Sequence, residues 1–409
     1  MILQFLKNFI TTKNTNQNPS LRPEIELILC CARTRIDPAT AQQIHNLLHK
    51  DLDWNYLLEK ASQQGVSLLV YQTLQKTHPE LIPKNITHQL QAYSQINIAR
   101  NLLLTKELFQ VLELLSAHNI RAIPFKGPIL STLAYGNLAL REFCDLDILV
   151  SKEDFPQAKE LLICRGYQHK YFAEHEAAYA QAQMMRPDGK GAIDLHYEIA
   201  PRDFFFPVDS EPFWQRLQPV SIAGKTVDAL SPEDSILVAY IHGSKEGWAS
   251  LKRICDMAEL ICVYPKINWH QIIEQASLFG NEESFFFSLL IVNYYLKISL
   301  PKEISQKVKA LPKLQFLAEQ YFNWILREAQ VENPSTRMGA VYFFQMAMID
   351  NLGGRLKYIL KLALKVNEKD RAICLLPPFL SLLYYPVRLF RLLITYKIGK
   401  EKLFIYKDS

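Results

Sequence analysis

Two acids separated by a single residue, set in an apolar run, constrain this chain more than any other feature. The run is Cys144-Asp-Leu-Asp-Ile-Leu-Val150. It has the length of a strand, and in a strand residues two apart share a face. Asp145 and Asp147 are therefore expected to project together, while Leu146, Ile148 and Val150 face a core. The alternation recurs in Ala192-Ile-Asp-Leu-His196, with Asp194 between Ile193 and Leu195. Three carboxylates on adjacent strands suit hard divalent cations, because Mg²⁺ prefers carboxylate oxygen and keeps positions for phosphate oxygens. Two such ions clamp the attacking and leaving oxygens of a phosphoryl-type transfer. A lone Asp-x-Asp is more often a solvated strand end, so its surroundings decide.

Upstream, Ile120-Arg-Ala-Ile-Pro-Phe-Lys-Gly127 reads as a short strand ending in Lys-Gly, followed by a helical run from Ile129 to Tyr135. A strand, a glycine turn and a helix N-terminus form a phosphate cradle, since free N–H groups and the helix dipole face the anion. Lys126 and Gly127 belong to that turn. Arg141, four residues before Asp145, is a candidate phosphate-facing fork. His196 shares the expected face of Asp194; it either orients that acid, touches a base, or is a satisfied structural histidine. Glu198 reads as a solvated strand end. Pro187-Asp-Gly-Lys190 reads as a hairpin turn with Lys190 exposed. His242 and Lys245 fall at a helix end, where Lys245 is either a phosphate contact or a surface lysine.

Phe125-Lys-Gly-Pro, Tyr135-Gly, Leu140-Arg-Glu-Phe-Cys-Asp-Leu-Asp-Ile-Leu-Val150 and Gly166-Tyr resemble an uncharacterised nucleotidyltransferase family, found mostly in bacteria, whose core is similar to the DNA polymerase beta superfamily. Leu27-Ile-Leu-Cys-Cys-Ala-Arg33, Asp53-Trp54, His242-Gly-Ser-Lys-Glu-Gly-Trp248 and Asp256-Met-Ala extend the resemblance over most of the chain from about Glu24. It implies that Asp145 and Asp147 bind two Mg²⁺ ions (with Mn²⁺ able to substitute) and a nucleoside triphosphate, ATP or another. Asp194 would complete the catalytic metal site and help deprotonate an acceptor hydroxyl. Gly127 would open the phosphate turn. One departure stands out: Pro128 follows Gly127 where the superfamily usually has Ser or Gly. Proline brings neither N–H nor hydroxyl, so Lys126 or Arg141 would have to compensate.

The chain is 49% hydrophobic and 21% charged, which fits a globular protein. Its seven cysteines show no zinc or disulfide spacing, so a reducing cytoplasm is expected. The apolar start, Met1 to Ile10, is too short to span a membrane and lacks a cleavage signature. Residues 1–23 read as a flexible arm and 24–118 as a helical region. Residues 119–227 read as the nucleotidyltransferase core, 228–345 as a second helical region and 346–409 as a basic and apolar tail. The helical spacing of the first region includes Leu102, Leu103, Leu108, Val111, Leu112 and Leu115. A helix from Glu153 to Arg165 should stop at Gly166, and Ser231-Pro-Glu-Asp234 should cap the second helical region.

From Arg355 to Lys402 the tail carries eleven Lys or Arg against three acids, a balance of +8 in a chain of net +5. Arg355 to Lys365 forms a basic amphipathic pattern, and Ala372 to Val387 is uncharged but broken by three prolines, a poor spanning helix. Such a tail either packs on the protein with its lysines solvated or lies peripherally on an anionic membrane, at its inner face. No nucleic-acid-binding motif is recognisable. The expected fold class is α+β, a small mixed-sheet nucleotidyltransferase core embedded in N- and C-terminal helical regions. The expected reaction is metal-dependent transfer of a nucleoside monophosphate to an unidentified small-molecule or macromolecular acceptor. The alternative is a catalytically silent nucleotide-binding or scaffold protein with the same fold. The expected site is Asp145, Asp147 and Asp194 for metal and catalysis, with Lys126, Gly127, Arg141 and Lys245 on the nucleotide.

Overall fold

The computed structural model describes residues 21–170, 179–189, 191–201, 204–279, 282–329, 341, 344–349, 352–364, 370, 373, 380, 383–388 and 390–391. Most of the expected N-terminal arm, Lys190 and much of the tail lie outside the described residues. The chain divides into two compact units, one spanning Asn18–Val341 and the other containing the chain from Tyr342 onward.

The larger unit begins with α1 (Pro23–Cys31), α2 (Pro38–Leu48), α3 (Trp54–Gln63), α4 (Ser67–Thr77) and α5 (Lys84–Ala117). Asp37 and Asp53 cap α2 and α3, accepting from the N–H groups of Thr40 and Tyr56, which satisfies donors the helices leave open. Helix α5 ends where Asn119 turns to φ +59°, and Ile120 N–H returns to the Leu115 carbonyl at 2.9 Å. Leu108, Val111 and Leu115 are buried, but Leu102 and Leu103 are 52% and 60% exposed. The apolar stripe is thus narrower than the leucine run: at about 100° per residue, both turn away from the face through Leu108.

The sheet follows: β1 (Ala122–Pro124), α6 (Pro128–Tyr135), β2 (Leu146–Val150), α7 (Phe155–Cys164), β3 (Gln168–His169), β4 (Gln181–Met185) and β5 (Ala192–His196). Spatial order is β1-β2-β5-β4-β3. Strands β2 and β5 run parallel, and the other neighbours are antiparallel, so the sheet is mixed and the fold is α+β. Leu146, Ile148, Val150, Ala182, Met184, Ile193 and Leu195 pack with Leu108, Val111 and Leu115 of α5 and Ala158 and Leu162 of α7. Their alternation puts the intervening residues, including Asp147 and Asp194, on the other face. Helix α7 starts at Phe155, two residues later than expected. Its glycine stop holds: Gly166 has φ +97° and its N–H reaches the Ile163 carbonyl at 2.8 Å.

After α8 (Glu211–Trp214), a hairpin of β6 (Gln218–Ile222) and β7 (Lys225–Ala229) leads to α9 (Pro232–Lys245), α10 (Leu251–Val263), α11 (Trp269–Leu278), α12 (Glu282–Leu296), α13 (Lys302–Lys309) and α14 (Pro312–Ala329). Ser231 caps α9, its Oγ accepting from Asp234 N–H at 3.1 Å and donating to Asp234 Oδ2 at 2.9 Å. The second unit contains α15 (Leu352–Leu364). There the buried Asp370 accepts from Arg388 and Arg391 at 2.9 and 2.6 Å. No helix among the described residues is long and apolar enough to cross a membrane.

Candidate metal centre

Parallel pairing of β2 with β5 sets Asp147 directly opposite Asp194. Antiparallel pairing of β5 with β4 sets Gln183 on the other side of Asp194. Gln183 Nε2 donates to Asp194 Oδ2 at 3.1 Å, and Gln181 reaches the same oxygen at 3.5 Å. His196, two residues along β5, turns its Nε2 to Asp147 Oδ1 at 3.3 Å. The ligand atoms of Asp147, Asp194 and His196 all lie within 4.8 Å of one another. Two carboxylates and an imidazole form a donor set that fits a divalent cation. His196 Nδ1 is buried without a hydrogen-bond partner, and Phe125 meets the ring edge-on at 5.1 Å.

Asp145 precedes β2 rather than lying in it, and is half-buried. It is outside this group of three, yet close enough for its charge to push the Asp194 carboxyl up.

Lys126 closes the centre from the end of β1. Its Nζ donates to Asp147 Oδ1 at 2.6 Å. Just before it, Phe125 N–H donates to the Asp147 carbonyl at 3.2 Å, tying the two strands together beside the ion pair. Gly127 follows with φ +53° and ψ −123°, a conformation reserved in practice for glycine. A Cβ there would also lie 3.3 Å from the Asp145 carbonyl. Pro128 starts α6, where its missing N–H costs no helical hydrogen bond.

The two facing acids are driven apart electrostatically. Burial alone would raise the Asp147 carboxyl, but the Lys126 ammonium and then His196 overcome it and hold Asp147 well below the usual carboxylate range. Burial and the Asp147 charge push Asp194 up. A pair of titratable groups separated in this way is an acid–base signature.

Helix α9 brings His242 and Lys245 to the same region. Burial, then Lys126 and Lys245, press the His242 imidazole well below its usual range, so it is neutral. Its Nε2 is buried without a partner, and its ring stacks on Phe125 at 6.1 Å. Burial, then Lys126, lower Lys245 to about 8. The segment is locked by Trp248, whose indole lies against Gly243 so closely that a Cβ there would be 2.4 Å from the ring.

Arg141 is placed differently from a phosphate fork. It is 3% exposed, and its Nε and Nη2 donate to Asp256 of α10 at 2.8 and 3.0 Å. Tyr135 Oη donates to the same carboxylate at 2.9 Å, and Asn101 of α5 donates to the Arg141 carbonyl at 3.0 Å. This buried clasp anchors the loop that delivers Asp145 and Asp147. The structure thus gathers Asp147, Asp194, Lys126 and Gly127, with Asp145 and Lys245 nearby, and commits Arg141 to Asp256. Gln181 and Gln183 on β4 carry no motif that marks them as site residues in the sequence. Their only signal is Gln181-x-Gln183, an alternation that matters once β4 is known to pair with β5.

A family model described as an uncharacterised nucleotidyltransferase matches residues 50–297. Among solved structures, an antigenic nucleotidyltransferase-like protein from Paracoccidioides brasiliensis is similar at 15% identity and a TM-score of 0.29, over 49% of this chain and 87% of that one. No curated protein matches.

Proposed function

The chain belongs to the uncharacterised nucleotidyltransferase family, and we propose that it transfers a nucleoside monophosphate from a nucleoside triphosphate, ATP foremost, to an acceptor hydroxyl or phosphate. The observation that carries this reading is the registered pair Asp147 and Asp194 with His196 beside them. Asp147 and His196 would hold a divalent cation together with Asp194, and Asp145 would extend the site toward the triphosphate and a second ion. Mg²⁺ or Mn²⁺, when bound, supplies charge neutralisation on the phosphoryl oxygens.

The chain's own groups do the rest by position and charge. Asp194, whose carboxyl burial and then the Asp147 charge push up, accepts the proton of an acceptor hydroxyl. The acceptor oxygen bonds to the α-phosphorus, the bond to the β-phosphate oxygen breaks, and pyrophosphate leaves. Gln183 and Gln181 keep Asp194 in place. Lys126 and Lys245 face the phosphates, and Gly127 allows the turn to approach them.

A silent nucleotide-binding or scaffold role is the second reading, favoured by Pro128, which removes a donor from the phosphate turn. Incubation of the pure protein with radiolabelled triphosphates, candidate acceptors and Mg²⁺ or Mn²⁺ separates the two. Labelled product supports transfer; metal-dependent nucleotide binding without turnover supports the silent role.

A further inference from the structure

We propose that Lys126 is an internal counter-ion that competes with the divalent cation for Asp147 until a triphosphate draws it away. The inference rests on the reading of Asp147, Asp194 and His196 as a metal centre.

Lys126 Nζ and His196 Nε2 approach the same carboxylate oxygen, Asp147 Oδ1, at 2.6 and 3.3 Å. The ammonium is 12% exposed and the carboxylate 5%, so water screens little of their attraction. A cation held by Asp147, Asp194 and His196 would sit beside this ammonium. A cation on Oδ1 and the ammonium beside it repel each other in a place that water screens little. Metal binding at Oδ1 therefore competes with Lys126, whose ion-pair partner among the described residues is Asp147.

Lys126 has a second relationship that decides where it goes. The Lys245 amine lies in the same region, where burial and then the Lys126 charge disfavour its charged form. Two ammonium groups in one partly buried region form a receptor for a polyanion. A triphosphate satisfies both and frees Asp147 for the metal. By linkage, metal and triphosphate then tighten each other's binding. Metal without nucleotide binds weakly, which keeps the buried acids clear of stray ions. Lys126 is a positioning residue in this scheme, acting on the metal through Asp147.

The test uses the full chain and Mn²⁺ alone, titrated by calorimetry into the parent, Lys126→Gln and Asp147→Asn. Glutamine removes the charge and keeps a side-chain N–H donor. Lys126→Gln should bind Mn²⁺ at least tenfold more tightly than the parent. Amine acylation read by mass spectrometry provides a second measurement that needs no variant. Labelling of Lys126 should rise several-fold when Mn²⁺ is added, and a non-hydrolysable triphosphate should suppress it. Equal Mn²⁺ affinity in parent and Lys126→Gln, or unchanged labelling on Mn²⁺ binding, overturns the competition. Mn²⁺ binding that persists in Asp147→Asn overturns the metal centre itself, a failure distinct from the first.

Discussion

Asp147 and Asp194 face each other across two parallel strands, at the same level of the sheet. Their environments are opposite. Lys126 and His196 hold the first carboxyl down, while burial and the first carboxylate push the second up. In the proposed reaction these environments suit different tasks: Asp147 stays an anion for the cation, and Asp194, also a ligand, takes the acceptor proton.

Asp147→Asn should abolish metal-dependent nucleotide binding. It should also lower thermal stability, since it leaves Lys126 facing a neutral amide in a mostly buried position. Asp145→Asn should weaken the same binding with a smaller loss of stability, because Asp145 is half-buried. Nucleotide titration with and without Mg²⁺, beside a melting curve, checks both. Parent-like binding in both variants would mean that the site is misplaced.

Arg141→Met and Asp256→Asn each strip one partner from a buried bidentate pair. Breaking such a pair costs about 3–5 kcal/mol, because the remaining charge is uncompensated. Denaturant unfolding should show losses of that order in either variant. A loss below about 1 kcal/mol would contradict the structural role assigned here.

Nucleotide affinity should fall as pH rises through about 8, where Lys245 loses its proton. The sign follows from the ligand: a polyanion prefers the ammonium, and deprotonation removes it. Burial and then the Lys126 charge lower the Lys245 value, and the charges of Asp147, Glu246 and Asp194 oppose them. Lys245→Met should bind more weakly at neutral pH and show a flatter profile as pH rises through about 8. Identical profiles in parent and variant would remove Lys245 from the site.

If the tail meets a membrane rather than packing on the protein, it should bind peripherally and need anionic lipid. Leu356 and Leu360, one turn apart on α15, are 57% and 52% exposed beside the exposed Lys357. Asp370 consumes part of the basic charge by pairing with Arg388 and Arg391. The remaining lysines near an anionic surface contribute on the order of 1 kcal/mol each, a term that salt screens. Protein should co-sediment with anionic vesicles at low salt and come off as salt rises, and truncation before Gly353 should abolish binding. No sedimentation at low salt would show that the tail does not dock on lipid.

Local chemistry made part of this architecture legible in the sequence. Alternation around Leu146, Ile148 and Val150 identified a core-facing strand, Ser231 announced a capped helix, and Gly166 marked a helix stop. Long-range pairing was not legible. Nothing near Arg141 shows that its partner is Asp256, 115 residues away, so its proximity to Asp145 in sequence suggested a phosphate instead. Nor does a strand pattern contain its register. Asp147 meets Asp194, and Gln183 flanks it, only because β5 lies between β2 and β4. A side chain's face can be read from period two; its neighbour across the sheet cannot.

The fate of the α-phosphate distinguishes nucleotidyl transfer from every other outcome at this site. Parent and Asp194→Asn are incubated with triphosphate labelled at the α- or the γ-position, candidate acceptors, and Mg²⁺ or Mn²⁺. Label should pass to acceptor from the α-position alone, with pyrophosphate released, only when metal is present. Asp194→Asn should lose about 10²- to 10⁴-fold in rate, the usual worth of a general base, while retaining most nucleotide affinity. Transfer from the γ-position, or equal rates in parent and Asp194→Asn when chemistry limits turnover, would contradict the account.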